Sequence, residues 1–474
     1  MIEKHFETCI LGAGPAGLAC GLELTDKGQT NICIVDKHVI PGGLSRTQKR
    51  DKYKFDIGPH RFFTGNKEVN QLWHYTLGND FVPVNRLTRI YYRDKFFNYP
   101  IKVGDVLLKM PPHEILHSML SFSASKIRNN KSADTFEEWV TNMFGEKLYK
   151  TFFKTYTEKV WGIPCNEIGA EWASQRIKGL DFGELVKNSM GFAKATPKTL
   201  VDQFDYPING SGQMYDAWME RLDKKNVSAF LGSRITHIEV TEYEIDYIIC
   251  KTNAGEDIKI KAKQFVGSLP LTHFYKLQGK IDNKIIENSI NALYYRDHIT
   301  IDLLLDGEDF FPDQWVYIHS PRVKMARIAN YNNFSKSMAN YEDKTCISVE
   351  YFAFQADNLW TMSDADLKSM AIDEMEMLKL ISREKVLDSW VVRETEAYPT
   401  YYLGFKEHYN TVIEETDRYK NYIAIGRGGM YKYNNQDHSI LSGLMAAKQI
   451  VNPQNQISLW DINVDDDYHE KATR

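Results

Sequence analysis

The first forty residues pass from an apolar run to a helical repeat and back. Residues 6–11 and 31–36 are short, nearly continuous apolar stretches, which predicts two buried strands. Between them residues 15–27 carry helical periodicity, open on a proline and are followed by Gly28. Strand, helix and strand at this spacing predict a βαβ unit. From about residue 100 to 200 the pattern is mainly helical, and Thr135 and Glu138 have capping-box spacing ahead of the apolar positions Trp139, Met143, Leu148 and Phe152. Residues 227–270 alternate polar and apolar side chains around a turn at Asn253-Ala254-Gly255-Glu256, predicting a small antiparallel meander. A second strand-rich tract covers 290–352 and a helix 364–382. The last elements are a strand at 422–425, a glycine turn at 426–429 and a helix at 438–450.

Grouped in this way, the pattern predicts an α/β architecture. Residues 1–66, 200–285 and 415–450 form one discontinuous ligand-binding domain, and 100–199 a helical insert. A second domain of sheet and helices takes 67–99 and 286–414, and 451–474 are a C-terminal tail. A chain of 474 residues exceeds one ordinary core, so the active site is expected between units. Hydrophobic and charged fractions of 43% and 26% exclude a disordered or fibrous class, and a net charge of −5 gives no broad face for nucleic acid. Any anionic ligand must therefore be met by a few placed cations. The six cysteines, Cys9, Cys20, Cys33, Cys165, Cys250 and Cys346, form no CxxC pair and read as buried thiols of a reducing compartment. No integral membrane segment and no signal peptide is apparent, so a cytoplasmic location is expected.

Between the first strand and helix lies Gly12-Ala13-Gly14-Pro15-Ala16-Gly17, a GxGxxG motif, and Asp36 ends the second strand with Lys37 after it. In that context the glycines let a pyrophosphate approach the helix N-terminus, and the carboxylate can accept from a ribose hydroxyl. The sequel is Pro41-Gly42-Gly43-Leu44-Ser45-Arg46-Thr47 and then Gly58-Pro59-His60-Arg61-Phe62. Paired glycines suit a backbone laid along an extended cofactor, with Arg46 facing its phosphates. The closing Gly426-Arg427-Gly428-Gly429 turn and the helix near Asn435 to Ser439 would bring a positive helix end to that cofactor. The GGxxxT stretch resembles the signature of the flavin superfamily of amine oxidases, protoporphyrinogen oxidase, phytoene desaturases and UDP-galactopyranose mutase. The resemblance implies a Rossmann-like FAD-binding domain of the GR2 type, an antiparallel-sheet substrate domain and noncovalent FAD.

Tyr156-Thr157-Glu158-Lys159-Val160-Trp161-Gly162 lies in a segment rich in aromatic and basic residues, which suits either a base-stacking wall or an ordinary packed helix. It resembles the Tyr-Thr-Glu-Lys-x-Trp-Gly motif of UDP-galactopyranose mutases, and further matches follow in the same order. They are His60 in Gly-Pro-His-Arg-Phe, Arg176-Ile177, Arg327-Ile328, and Arg427 with Tyr431-Lys432-Tyr433; Tyr398 matches loosely. The resemblance implies that Tyr156, Trp161, Arg176, Arg327, Tyr398 and Tyr433 bind a nucleotide-diphosphate sugar and that His60 and Arg427 stand beside the flavin. His60, Arg327 and Arg427 are thus the candidate catalytic residues. It further implies a redox-neutral pyranose–furanose isomerisation through N5 of reduced flavin for surface-glycan synthesis, with NAD(P)H or a reductase as the source of electrons. The alternative is a flavin-dependent oxidase or dehydrogenase of a polar metabolite. Leu180, with Lys178 nearby, stands where the mutases carry a second diphosphate arginine, and Asn435 replaces an acidic residue. His113-Glu114-Ile115-Leu116-His117 is a literal HExxH, but two prolines before it make a helix start the simpler reading, and no metal is expected.

Overall fold

A computed structural model describes residues 1–101, 103–128, 133–170, 203–279, 281–308, 310–454 and 458–463. The βαβ unit forms as the pattern predicts, with strands Ile2–Leu11 and Ile32–Asp36 flanking the helix Pro15–Asp26. Cys9, Ile10, Leu11 and the whole run Ile32 to Val35 are buried, as expected of strands covered on both faces.

These strands lie in a seven-stranded sheet. Its order from one edge is Ser233–Thr241, Glu244–Thr252, Asp257–Gly267, Ile2–Leu11, Ile32–Asp36 and Ser228–Leu231. The predicted small meander is therefore only partly separate. Asp257–Gly267 does pair antiparallel with Glu244–Thr252, but it also runs parallel to Ile2–Leu11 from Ile258 to Gly267. Ser228–Leu231 runs parallel to Ile32–Asp36. Alternation in the sequence reports a half-exposed strand but not the direction of its neighbour, which explains the difference. The late strand Tyr422–Ala424 completes the sheet by running parallel to the end of Asp257–Gly267.

A second seven-stranded sheet has the order Val386–Pro399, Tyr295–Asp306, Lys344–Ala353, Arg327–Asn330, Trp315–Ile318, Thr88–Tyr92 and Lys95–Asn98. It is antiparallel except where Thr88–Tyr92 meets Trp315–Ile318. The helices Pro112–Arg128 and Phe136–Phe144 pack beside it. Thr135 caps the latter by accepting from Glu138 N, while the Glu138 carboxylate accepts from Thr135 N, the reciprocal box that the spacing predicted. After Glu146–Tyr149 the chain widens to a π-helical turn at Lys150–Lys154 and returns to α-helix at Thr155–Trp161. All six cysteines are buried free thiols.

The C-terminal helix Gln436–Val451 packs on Pro15–Asp26 at very close range. A Cβ on Gly443 would stand 2.0 Å from the Ala16 carbonyl oxygen, so only glycine permits this approach. The contact sets the first turn of Pro15–Asp26 against the middle of Gln436–Val451. Gly443→Ala is expected to lower the unfolding free energy by about 2 to 3 kcal/mol through overpacking. Chemical denaturation of the purified variant checks this; an unchanged midpoint would contradict the close approach.

Candidate active site

A cleft of about 420 Å3 opens between the two sheets. One wall is built at the carboxyl ends of parallel strands: Gly12 follows Ile2–Leu11, Lys37 and His38 follow Ile32–Asp36, Ser268 follows Asp257–Gly267, and Gly426 comes shortly after Tyr422–Ala424. That is where open α/β sheets hold ligands. The opposite wall comes from the second sheet, through Tyr317, Arg327 and Glu394 to Tyr398, and from residues 57–63.

The glycine-rich end has the form a dinucleotide requires. Gly12, Gly14, Pro15 and Ala16 line the cleft, whereas Gly17 lies behind it, where a Cβ would come within 2.0 Å of the Gly12 carbonyl and open the turn. Gly14 offers no side-chain cap and the first turn of Pro15–Asp26 holds no acidic residue, so its backbone N–H groups remain a site for an anion. The Asp36 carboxylate accepts from Ala13 N and His38 N, both at 2.7 Å, and faces the cleft together with Lys37. Gly43, Leu44, Ser45, Gly58 and Pro59 continue the lining.

Arg46 departs from its expected place. Its guanidinium is not part of the cleft lining: it donates to the Gly43 carbonyl at 2.8 Å and forms a buried ion pair with Glu394, which does line the cleft. The reason is Glu394 itself, a buried carboxylate that needs a counter-charge: burial pushes its pKa up, but His38 and Arg46 outweigh this and hold it at about 2. The basic side chains that do line this end include Lys37, His38 and Arg234. The pattern reading missed His38 and Arg234; Arg234 lies on an ordinary alternating strand and carries no local signal.

At the other end His60, Arg327, Arg427, Tyr398 and Tyr433 converge. His60 Nε2 lies 2.9 Å from the carbonyls of both Leu44 and Ile57. Since a carbonyl can only accept, Nε2 carries the hydrogen and Nδ1 the lone pair. Burial, then Arg427 and Arg327, lower the imidazole pKa to about 4, so His60 is neutral at pH 7. Arg327 is gripped by Glu350, Nε to Oε1 at 2.7 Å and Nη2 to Oε2 at 2.5 Å. Glu350 is fully buried and also meets His298 Nε2 at 2.9 Å. Burial raises its pKa, but Arg327 and His298 bring it down to about 2. The fork leaves Nη1 of Arg327 as the donor edge for a ligand. Arg427 donates to the Asn434 carbonyl at 2.9 Å and lies over the rings of Tyr398 and Tyr433, 5.0 and 4.8 Å from their centroids. Glu350 and His298 were not foreseen from the sequence, because nothing local marks a strand residue as the partner of an arginine 23 positions away.

Trp161 and Tyr156 stand behind this lining. Trp161 is buried against Tyr401 and Tyr433, and Tyr156 stacks on His319 at 5.0 Å with its ring 5.2 Å from Tyr317. Lys159 ties their helix to the second sheet by donating to the carbonyls of Ile318, Ser320 and Met325 at 3.2, 2.7 and 2.8 Å. Asn435 and Ser439 line the cleft at the start of Gln436–Val451, and so does the buried Asp437. The sequence reading offered this positive helix end to an anionic cofactor; the Asp437 carboxylate in the first turn already offsets part of that dipole. Arg176, Lys178 and Leu180 lie outside the described residues. Glu114 of the HExxH run is engaged by Arg93 at 2.7 Å and Lys147 at 3.4 Å.

Comparison with known proteins bears on the fold. Residues 10–76 match the NAD(P)-binding Rossmann-like domain family. Over 168 residues the chain is 28% identical to a probable UDP-galactopyranose mutase of Klebsiella pneumoniae, covering 34% of this chain and 42% of that protein. A dTDP-fucopyranose mutase of Escherichia coli is 26% identical over 169 residues, 34% of this chain and 43% of its own. The chain thus spans about two fifths of the length of the curated relatives it matches. Among solved structures a reduced UDP-galactopyranose mutase superposes with a TM-score of 0.83 at 20% identity, covering 97% of this chain and 98% of the other. A putative protoporphyrinogen oxidase from Exiguobacterium gives 0.70 at 15% identity, with coverages of 95% and 99%. The fold is therefore the α/β, Rossmann-like architecture shared by these proteins.

The Glu350 site predicts a specific acid response. Its folded pKa of about 2 lies below the ordinary 4.5, so the unfolded chain binds more protons between those values. Its contribution is complete above pH 4.5 and is lost as the pH falls through about 2. Glu350→Gln should cost about 3 kcal/mol at pH 7, by stranding a buried guanidinium, and the gap to the parent should narrow steadily toward pH 2. Urea titrations across this range test it; a gap independent of pH would contradict the assignment.

Proposed function

We propose that this chain is an FAD-dependent enzyme that isomerises a nucleotide-diphosphate sugar between ring forms, in the manner of the UDP-galactopyranose and dTDP-fucopyranose mutases it resembles. The observation that carries the reading is Arg327: a guanidinium fixed by a fully buried carboxylate and turned to a cleft otherwise walled by Tyr398, Tyr433 and Arg427. Such a set can hold a pyrophosphate without relying on net charge. Gly12, Gly14, Gly43 and Asp36 at the glycine-lined end would hold FAD, which when bound and reduced would supply the electron pair for reaction at the anomeric carbon of the sugar.

The protein's own part is orientation and charge. Arg327 Nη1 and the hydroxyls of Tyr398 and Tyr433 receive the diphosphate and stabilise it while it is detached from the sugar. His60, neutral and donating through Nε2 to Leu44 and Ile57, ties together the two loops that carry these carbonyls and offers Nδ1 as an acceptor. Trp161, packed on Tyr433, holds that tyrosine from behind.

Anaerobic incubation of the reduced and the oxidised protein with a panel of UDP- and dTDP-sugars tests the reading. A product of unchanged mass is expected from the reduced form alone, over many turnovers and without stoichiometric use of NAD(P)H. Bleaching of the oxidised form by a sugar, with a product lighter by two hydrogens, would replace the mutase with an oxidoreductase. Arg327→Lys keeps a charge opposite Glu350 but loses the fork. It should weaken UDP binding about thirtyfold, the equivalent of about 2 kcal/mol, while the bound flavin spectrum stays unchanged.

A further inference from the structure

Residues 432–434 are held from two sides. On the cleft side the Tyr433 ring lines the cavity, Tyr433 N donates to the Tyr401 hydroxyl at 2.7 Å, and the Asn434 carbonyl receives Arg427 Nε at 2.9 Å. On the far side lie residues 458–463, a segment remote from any motif in the chain. Lys432 Nζ donates to the carbonyl of Trp460 and, at 3.0 Å, to that of Ile462. Asn463 Nδ2 donates to the Tyr433 carbonyl at 3.2 Å and to Asn434 Oδ1 at 3.1 Å. The segment is anchored in its turn. Leu459 and Ile462 are buried in the same apolar cluster as Ile425, Met430 and Ile440, and Trp460 Nε1 donates to Asp417 at 2.7 Å.

We propose that residues 458–463 form a positioning strap, which fixes the backbone of Tyr433 and Asn434 from behind and thereby sets the Tyr433 ring and the Arg427 guanidinium for the diphosphate of the ligand. The inference rests on the nucleotide-sugar reading of the cleft. Its physical basis is that a tyrosine hydroxyl and a guanidinium bind an anion well only when their geometry is set in advance, and the strap holds the backbone that carries them. Lys432 is buried, and the strap carbonyls give its ammonium the acceptors that solvent would otherwise supply.

Asn463→Ala and, separately, Lys432→Met in the full chain test the strap, with UDP affinity measured by calorimetry on the flavin-loaded protein. Each should weaken UDP binding about tenfold, while flavin content and thermal midpoint change little for Asn463→Ala. In a Tyr433→Ala background Asn463→Ala should have a smaller effect, confined to what passes through Asn434 to Arg427, and in a Tyr433→Ala/Arg427→Ala background none, a dependence that mere loss of stability would not produce. A parent that binds UDP and an Asn463→Ala variant that binds it equally well would overturn the strap alone. A parent that does not bind UDP would overturn both the reading of the cleft and this inference.

Discussion

A guanidinium facing a cleft between two sheets must stay charged and correctly aimed with little water to help it, and the second sheet is arranged around that requirement. Arg327 and Glu350 are register partners on adjacent antiparallel strands, so their side chains meet on one face. The carboxylate takes the guanidinium by two of its nitrogens, and His298 reaches the same carboxylate from the next strand. Burying such a pair adds little to stability, since desolvation consumes much of the attraction, and removing either partner is costly because the other charge remains. Its use is geometric: one edge of Arg327 is immobilised so that the other is presented to a ligand.

The same logic of opposed supports recurs across the cleft. Arg46 and Glu394 are buried together, which ties the glycine-rich loop to the second sheet. Arg427 is held by the Asn434 carbonyl and by two tyrosine rings, while Lys159 joins the helix of Trp161 to the strand connection that precedes Arg327. Each cation is therefore satisfied partly by protein before a ligand arrives. The groups are preorganised, and binding an anion requires little rearrangement of the walls.

At the glycine-rich end the governing constraint is steric. The helices Pro15–Asp26 and Gln436–Val451 approach so closely at Gly443 that they share one platform, and Gly426 comes to rest beside Ala16. The start of the last helix reaches the cleft by this contact, but it brings the buried Asp437 with it. A helix end is thus not a pure positive pole here; its field is shaped by the acid in its own first turn.

What the sequence determined by itself was local. The βαβ unit, the capping box at Thr135 and Glu138, and the glycine loops followed from periodicity and turn chemistry, which act over a few residues. Motif order along the chain also picked out His60, Arg327, Arg427, Tyr398 and Tyr433, five residues that the fold brings to one end of the cleft. Tertiary structure alone decided the partners. Glu350 and His298 behind Arg327, Glu394 opposite Arg46, and Arg234 in the cleft lining carry no signature of their own. The same holds for the parallel neighbours of the supposed meander and for the contacts of residues 458–463 with Lys432 and Tyr433. The physical reason is that a charge or a strand edge is satisfied by whatever the fold places within a few ångströms, and that distance is set by sheet order and helix packing across hundreds of residues rather than by any neighbour in the chain.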